Sequence, residues 1–178
     1  MKKKYVIAVI GATGNVGREI LNNLSSRMFP IEEVIVVASH KSVGKQVSFG
    51  DETLKVKQMN EIDFSKIDIA FFCAGSKVAE KYAKSAASKG CIVIDKSSFF
   101  RLHEDVPLIV PEANIAALSD FTSDTNEVKN ELNQNRQKTI SGIIASPNCC
   151  TIPLAVILKP LDNAAKIRRI IISTYQSV

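Results

Sequence analysis

The chain has no tryptophan, and only 6% of its 178 residues are aromatic. Whatever core it builds must therefore be mainly aliphatic. Charge of one sign is also scarce: 23 Lys and Arg against 18 Asp and Glu leave a net +5, and Lys2, Lys3 and Lys4 supply three of those. No dense basic patch interleaved with aromatics occurs, so a nucleic-acid footprint is unsupported and no such partner is expected. The mild excess would suit small anionic ligands, and a solvated surface explains it equally well. No apolar run is long enough to cross a bilayer, so no membrane partner is expected. The apolar run Tyr5 to Ile10 after the lysines imitates a signal peptide, but it stops at once in Gly11-Ala12-Thr13-Gly14, too short for an h-region. The four cysteines include no CxxC spacing, so no metal site is read. Adjacent Cys149 and Cys150 make a poor disulfide pair. Reduced thiols in a cytoplasmic protein are the plain reading.

Against these absences stand 46% hydrophobic residues and 23% charged ones, ordinary for a globular chain of about one domain. Apolar β-rich runs at 4–10, 34–38, 69–73 and 91–95 read as strands buried on both faces. Leu108 to Val110, Ile140 to Ala145 and Arg169 to Thr174 read as shorter or later strands. Helical spacing of Val16, Ile20, Leu21 and Leu24, an Ala/Lys-rich stretch from Lys77 to Lys89, and the run from Cys150 to Ala165 predict helices between them. Residues 46–56 read as a small hairpin. Strands alternating with helices predict an α/β fold, Rossmann-like and doubly wound, with a mainly parallel sheet. Residues 119–139 are polar and Asn/Gln-rich, with Val128 and Leu132 almost the only aliphatics. They read as a mobile surface insertion with at most one frayed helix.

Chemistry concentrates at three places. Gly11-Ala12-Thr13-Gly14-Asn15-Val16-Gly17 follows a strand and opens a helix. Glycines there permit a tight turn, close approach of a pyrophosphate, and close helix packing on the sheet. Backbone N–H groups at the helix start then meet the phosphates. The second strand ends in Ala38-Ser39-His40-Lys41-Ser42, without the carboxylate that NAD sites carry for the ribose 2′-hydroxyl. Lys41 and two hydroxyls could hold a 2′-phosphate, which favours NADP; a solvated loop lysine is the bland alternative. Third, Ser146-Pro147-Asn148-Cys149-Cys150 lies between an apolar strand and an apolar helix. A thiol at a helix N-terminus has a lowered pKa and can attack a carbonyl, although a cysteine in such a place is more often buried and inert.

Together with these motifs, Ser42-Val43-Gly44-Lys45, Ser97-Ser98 before Phe100-Arg101, Val110-Pro111-Glu112-Ala113-Asn114 and Ser173-Thr174-Tyr175-Gln176-Ser177-Val178 give the chain a specific likeness. It resembles the N-terminal part of aspartate-semialdehyde dehydrogenase over nearly its whole length except residues 119–139. The resemblance implies that Cys149 is the nucleophile, that Gln176 assists it, and that Arg101 and Asn148 bind phosphate or substrate. It puts Gly11, Thr13, Gly14, Asn15, Val16, Ser39, Lys41, Ser42, Ala74, Gly75 and Ser97 at cofactor-binding positions. Cys150 falls where relatives often have Ser or Thr, Lys41 where they often have Arg, and Lys96 where Asn usually precedes Ser-Ser.

The resemblance implies NADPH-dependent reductive dephosphorylation of L-aspartyl 4-phosphate to L-aspartate 4-semialdehyde through a Cys149 thioester, a step in lysine, threonine and methionine biosynthesis. It implies residues 1–148 as an NADP-binding domain and 149–178 as the start of a catalytic and dimerisation domain. The rest of that domain, with the family's catalytic His and substrate-binding Arg, is expected to lie outside this chain. Full-length family members homodimerise. On this reading the chain alone binds NADP without turnover. Two alternatives stay open: another acyl-phosphate reductase, such as an N-acetyl-γ-glutamyl-phosphate reductase, and a non-catalytic NADP-binding module.

Overall fold

A computed structural model describes residues 3–118 and 142–176. Strand β1 (Tyr5–Ile10) leads through the glycine turn into helix α1 (Asn15–Ser26), then β2 (Ile31–Val37). A hairpin of β3 (Gln46–Phe49) and β4 (Glu52–Lys55) follows, then β5 (Ile69–Phe72), α2 (Ser76–Ser88) and β6 (Ile92–Asp95). The short helix α3 (Pro111–Asn114), β7 (Ile143–Ala145) and helix α4 (Thr151–Ala165) complete the described elements. The insertion expected at 119–139 lies outside the described residues.

Five strands form one sheet in the order β2-β1-β5-β6-β7, and every pairing in it is parallel. The register pairs Ala8 with Ile35 on one side and with Ala70 on the other. Alternate side chains point to opposite faces, and each face has its own core. Ala8, Ile10, Val37, Ala70, Phe72, Val93 and Ile143 pack against Ala79, Ala83 and Ala86 of α2, with Phe64 and Phe100 closing the layer. Alanines on one stripe of α2 let the helix lie close to the sheet. On the other face Val9 and Val36 pack against Leu21 of α1 and against Val47 and Val56 around the hairpin. Helices on both faces of a parallel sheet make the fold doubly wound.

Two expected strands differ. Leu108 to Val110 makes a single parallel bridge to Ala145, with Ile109 N–H donating to the Ala145 carbonyl at 3.0 Å; Pro107 supplies no N–H to extend the ladder. Arg169 to Thr174 is not a strand. No described strand lies beside it to take up its backbone groups, and Ile171 is 80% exposed.

Candidate functional site

The strand order reverses between β1 and β5, since the chain leaves β1 toward β2 and later returns to the other side. In open parallel sheets ligands bind in the crevice outside the strand C-termini at such a switch point. The glycine turn and Ala74-Gly75 are the two loops that flank it. Gly11 has φ +93°, and a Cβ there would meet the Cys73 carbonyl at 2.8 Å and Ala74 N at 2.9 Å. Gly17 is equally constrained, because a Cβ would collide with the Gly11 carbonyl and Ala12 Cα. Gly14 differs: its only neighbour would be the Gly11 carbonyl at 3.4 Å, an ordinary contact. Gly14 opens α1 with no side-chain cap and no acidic residue in the first turn. That leaves unsatisfied N–H groups and the positive end of the helix facing the crevice, a cradle that fits a pyrophosphate.

Both Gly11 N–H and Ala12 N–H donate to the Val37 carbonyl, at 2.8 and 3.0 Å, which ties the turn to the end of β2. Ser39 and Ser42 then close a tight turn over His40–Ser42. Lys41 is exposed on it and makes no ion pair among the described residues. The β2 end holds no carboxylate, so the arrangement has a free cation and two hydroxyls where a ribose phosphate would lie. Thr13 is half-buried in the glycine turn, while Asn15 and Val16 project outward. Ser97 makes its bonds within its own turn. It is buried, donates its hydroxyl to Asp95 Oδ2 at 2.8 Å and accepts the Phe99 N–H at 3.1 Å, which makes it a turn-forming residue here.

The loop between β7 and α4 carries the second set. Asn148 Oδ1 accepts the Cys150 N–H at 2.8 Å, and Asn148 Nδ2 donates to Gln176 Oε1 at 3.2 Å. Cys149 is exposed, with Sγ 3.8 Å from Asn148 Oδ1. Arg101 reaches the same loop, its Nε donating to the Ser146 carbonyl at 3.0 Å. All four line one cleft of about 950 Å³ with Asn15 and Val16 from the glycine turn, over Phe71 and Ile152. Asn15 and Val16 thus share a cavity with the exposed thiol; its lining continues along α1 through Glu19, Asn23 and Leu24, and Thr13, Lys41 and Gly75 are not part of it.

The thiols differ by environment. Burial pushes Cys73 and Cys91 up to about 12, which keeps them protonated and inert. Partial burial and the neighbouring Cys149 raise Cys150 as well. Lys96 also lines the cleft, with Nζ 2.7 Å from Ser146 Oγ. It is the site residue that sequence reasoning passed over as a motif departure; a lysine closing the buried strand Ile92 to Asp95 was the available signal. Neither histidine lines the cleft: His40 lies on the turn after β2, and His103 packs against Phe99 and Phe100. Among the described residues no cluster of three or more His, Cys, Asp or Glu could hold a metal. No described helix is long and apolar enough to cross a membrane.

Known proteins match this arrangement. The family model for semialdehyde dehydrogenase, NAD binding domain, matches residues 6–121. An aspartate-semialdehyde dehydrogenase of Rickettsia bellii is 56% identical over the whole chain, which covers 48% of that protein. Aspartate semialdehyde dehydrogenase II of Vibrio cholerae, solved as a complex with ASA, superposes with a TM-score of 0.79 at 38% identity, over 93% of this chain and 48% of that one. The Candida albicans enzyme, solved with NADP, gives 0.72 at 29% identity over the same shares. The chain spans about half the length of the relatives it matches. It belongs to the semialdehyde dehydrogenase family, and residues 6–121 are that family's NAD-binding domain.

Proposed function

We propose that the chain serves the NADPH-dependent reductive dephosphorylation of L-aspartyl 4-phosphate to L-aspartate 4-semialdehyde. The observation that carries this reading is the single cleft lined by Asn15 and Val16 of the dinucleotide loop and by Cys149, Arg101 and Gln176. A redox cofactor and a covalent nucleophile must act on one carbon, so they must open into one space. Gly11 to Val16 and Ala74-Gly75 would hold the pyrophosphate, and Ser39, Lys41 and Ser42 the 2′-phosphate. The Candida albicans relative solved with NADP supports that cofactor. When bound, it supplies hydride.

The chain's own residues prepare the acyl group. Cys149 sulfur attacks the acyl carbon, the bond to the phosphate oxygen breaks, and phosphate departs with the electron pair, leaving a thioester. Arg101 orients and neutralises the phosphoryl group. Asn148 fixes the loop and, through Gln176, brings a second amide to the acyl carbon. Residues 1–148 form the NADP-binding domain in this reading, and 149–178 begin the catalytic one. The setting is cytoplasmic, and the protein works as a homodimer in the manner of its family. Because neither histidine lines the cleft, the chain by itself binds NADP and acylates but does not turn over.

Intact-mass analysis after mixing the chain with aspartyl phosphate tests this. One aspartyl adduct on Cys149, absent in Cys149→Ser and formed without sustained NADPH oxidation, is expected. No adduct, or one on Cys150, would overturn the assignment.

A further inference from the structure

Two half-buried cations, Lys96 and Arg101, line the cleft together; its other charged lining residues, Glu19 on α1 and Arg27 just after it, make no ion pair with either among the described residues. Lys96 follows β6 directly and is half-buried, with Nζ donating to Ser146 Oγ at 2.7 Å. Arg101 is half-buried beside it, donating from Nε to the Ser146 carbonyl at 3.0 Å and from Nη2 to the Lys96 carbonyl at 3.2 Å. Neither cation makes an ion pair among the described residues. The adjacent carboxylate, Asp95, is fully buried and turned inward, accepting the Ser97 N–H at 2.9 Å and the Ser97 hydroxyl at 2.8 Å. An ammonium has three donors and a guanidinium five, so both groups keep N–H to offer. Burial pulls the Lys96 pKa down; the neighbouring Cys73 and Cys149 oppose that shift, and the Arg101 charge adds to it. Like charges side by side and out of water are costly unless a counter-ion joins them. Both residues line the cleft that carries Cys149.

The geometry points to Lys96 and Arg101 as a two-cation seat for a phosphoryl dianion, with Lys96 the residue that sets the preference for a doubly charged group. This rests on the acyl-phosphate reading above. Ser146 holds both cations, one by its hydroxyl and one by its carbonyl, so the seat is fixed before the ligand arrives. It lies on the loop that presents Cys149. When sulfur displaces the phosphoryl group, the departing oxygen gains charge, and a second cation stabilises that charge more than the ground state. Lys96 acts by electrostatics and is not the nucleophile or the base.

Inorganic phosphate is the probe, and its binding to the 178-residue chain is read by ³¹P line broadening, with nitrate as monoanion control. Lys96→Gln is expected to weaken phosphate about tenfold, the loss of one charge-assisted hydrogen bond, and to change nitrate much less. Lys96→Arg keeps the charge and is expected to rescue phosphate binding, an outcome a merely structural lysine would not produce. Urea midpoints check folding, and Lys96→Met, which keeps the aliphatic stem, replaces the Gln variant if that unfolds. Unchanged phosphate binding in Lys96→Gln with weakened binding in Arg101→Gln would overturn the Lys96 assignment and leave the acyl-phosphate reading standing. Failure of wild-type chain to bind phosphate, or binding indifferent to both residues, would overturn both.

Discussion

Two turns leave the same edge of the sheet, each from a buried strand into a helix, and they are built in opposite ways. Between β1 and α1 side chains have been stripped out. Gly11 and Gly17 have no room for a Cβ, and the helix start carries no cap. Between β7 and α4 side chains do the binding. Asn148 Oδ1 takes the Cys150 N–H at 2.8 Å, and the Asn148 carbonyl takes those of Thr151 and Ile152 at 2.9 and 3.2 Å. Lys96 and Arg101 hold Ser146 from the other side. The first turn spends the N–H groups of Gly11, Ala12 and Gly14 internally and offers those at the helix start to a ligand, whereas the second has largely satisfied its own and offers a thiol. The same strand-turn-helix geometry becomes a binding loop or a reacting one according to which atoms are left unpaired. Atoms added to the first turn should damage it, and atoms removed from the second should damage that.

The largest effect belongs to the reacting turn. Cys149→Ser is expected to cut acylation on the order of 10⁴-fold, as loss of a nucleophile does, with little effect on stability because the residue is exposed. Cys150→Ser is expected to do little to either. Alkylation at limiting reagent and pH 8 sharpens the contrast. With pKa values of about 12, Cys73 and Cys91 hold roughly one part in ten thousand as thiolate at that pH. Peptide mapping should find Cys149 labelled first, and half-buried Cys73 and buried Cys91 should become reactive only as pH climbs toward 12. Early labelling of Cys73 would contradict the burial described for it.

In the glycine turn, Gly11→Ala and Gly17→Ala are each expected to lower unfolding free energy by about 3 kcal/mol, from strain and backbone collision. Gly14→Ala should cost no more than about 1 kcal/mol, the loss of a glycine at a helix N-cap, since nothing in the protein crowds that position. It should still weaken NADPH binding, read by cofactor fluorescence, because a methyl then stands between the helix start and the pyrophosphate. If Gly14→Ala destabilised as much as Gly17→Ala, the division of roles among the glycines would be lost.

Asn148→Ala removes the side-chain acceptor of the Cys150 N–H and is expected to cost about 1 kcal/mol, along with a slower acylation of Cys149, by urea titration and intact mass respectively. The smallest change is Lys41→Glu. It should raise the NADP dissociation constant several-fold through repulsion at an exposed site and leave NAD nearly untouched. Equal effects on both cofactors would show that Lys41 faces no 2′-phosphate.

Much of this was legible in the sequence because it is local. Apolar runs marked β1, β2, β5 and β6, and a glycine turn between strand and helix marked the crevice. Pro147-Asn148-Cys149 before an apolar helix marked the thiol. What escaped depends on register. The contact of Lys96 with Ser146 spans fifty residues and exists only because β6 and β7 are neighbours. The bonds of the Ser97 hydroxyl and N–H to buried Asp95 likewise depend on how β6 is packed. Arg169 to Thr174 has a strand's composition, but composition cannot supply the hydrogen-bonded neighbour that makes a strand.

Asn15 and Val16 of the dinucleotide loop open into one cleft with Cys149, so alkylation of Cys149 should sense the cofactor when NADP is titrated and its occupancy is followed in the same sample. The Cys149 rate should fall in step with occupancy, and Gly14→Ala should shift both curves together. Full occupancy with an unchanged Cys149 rate would contradict it.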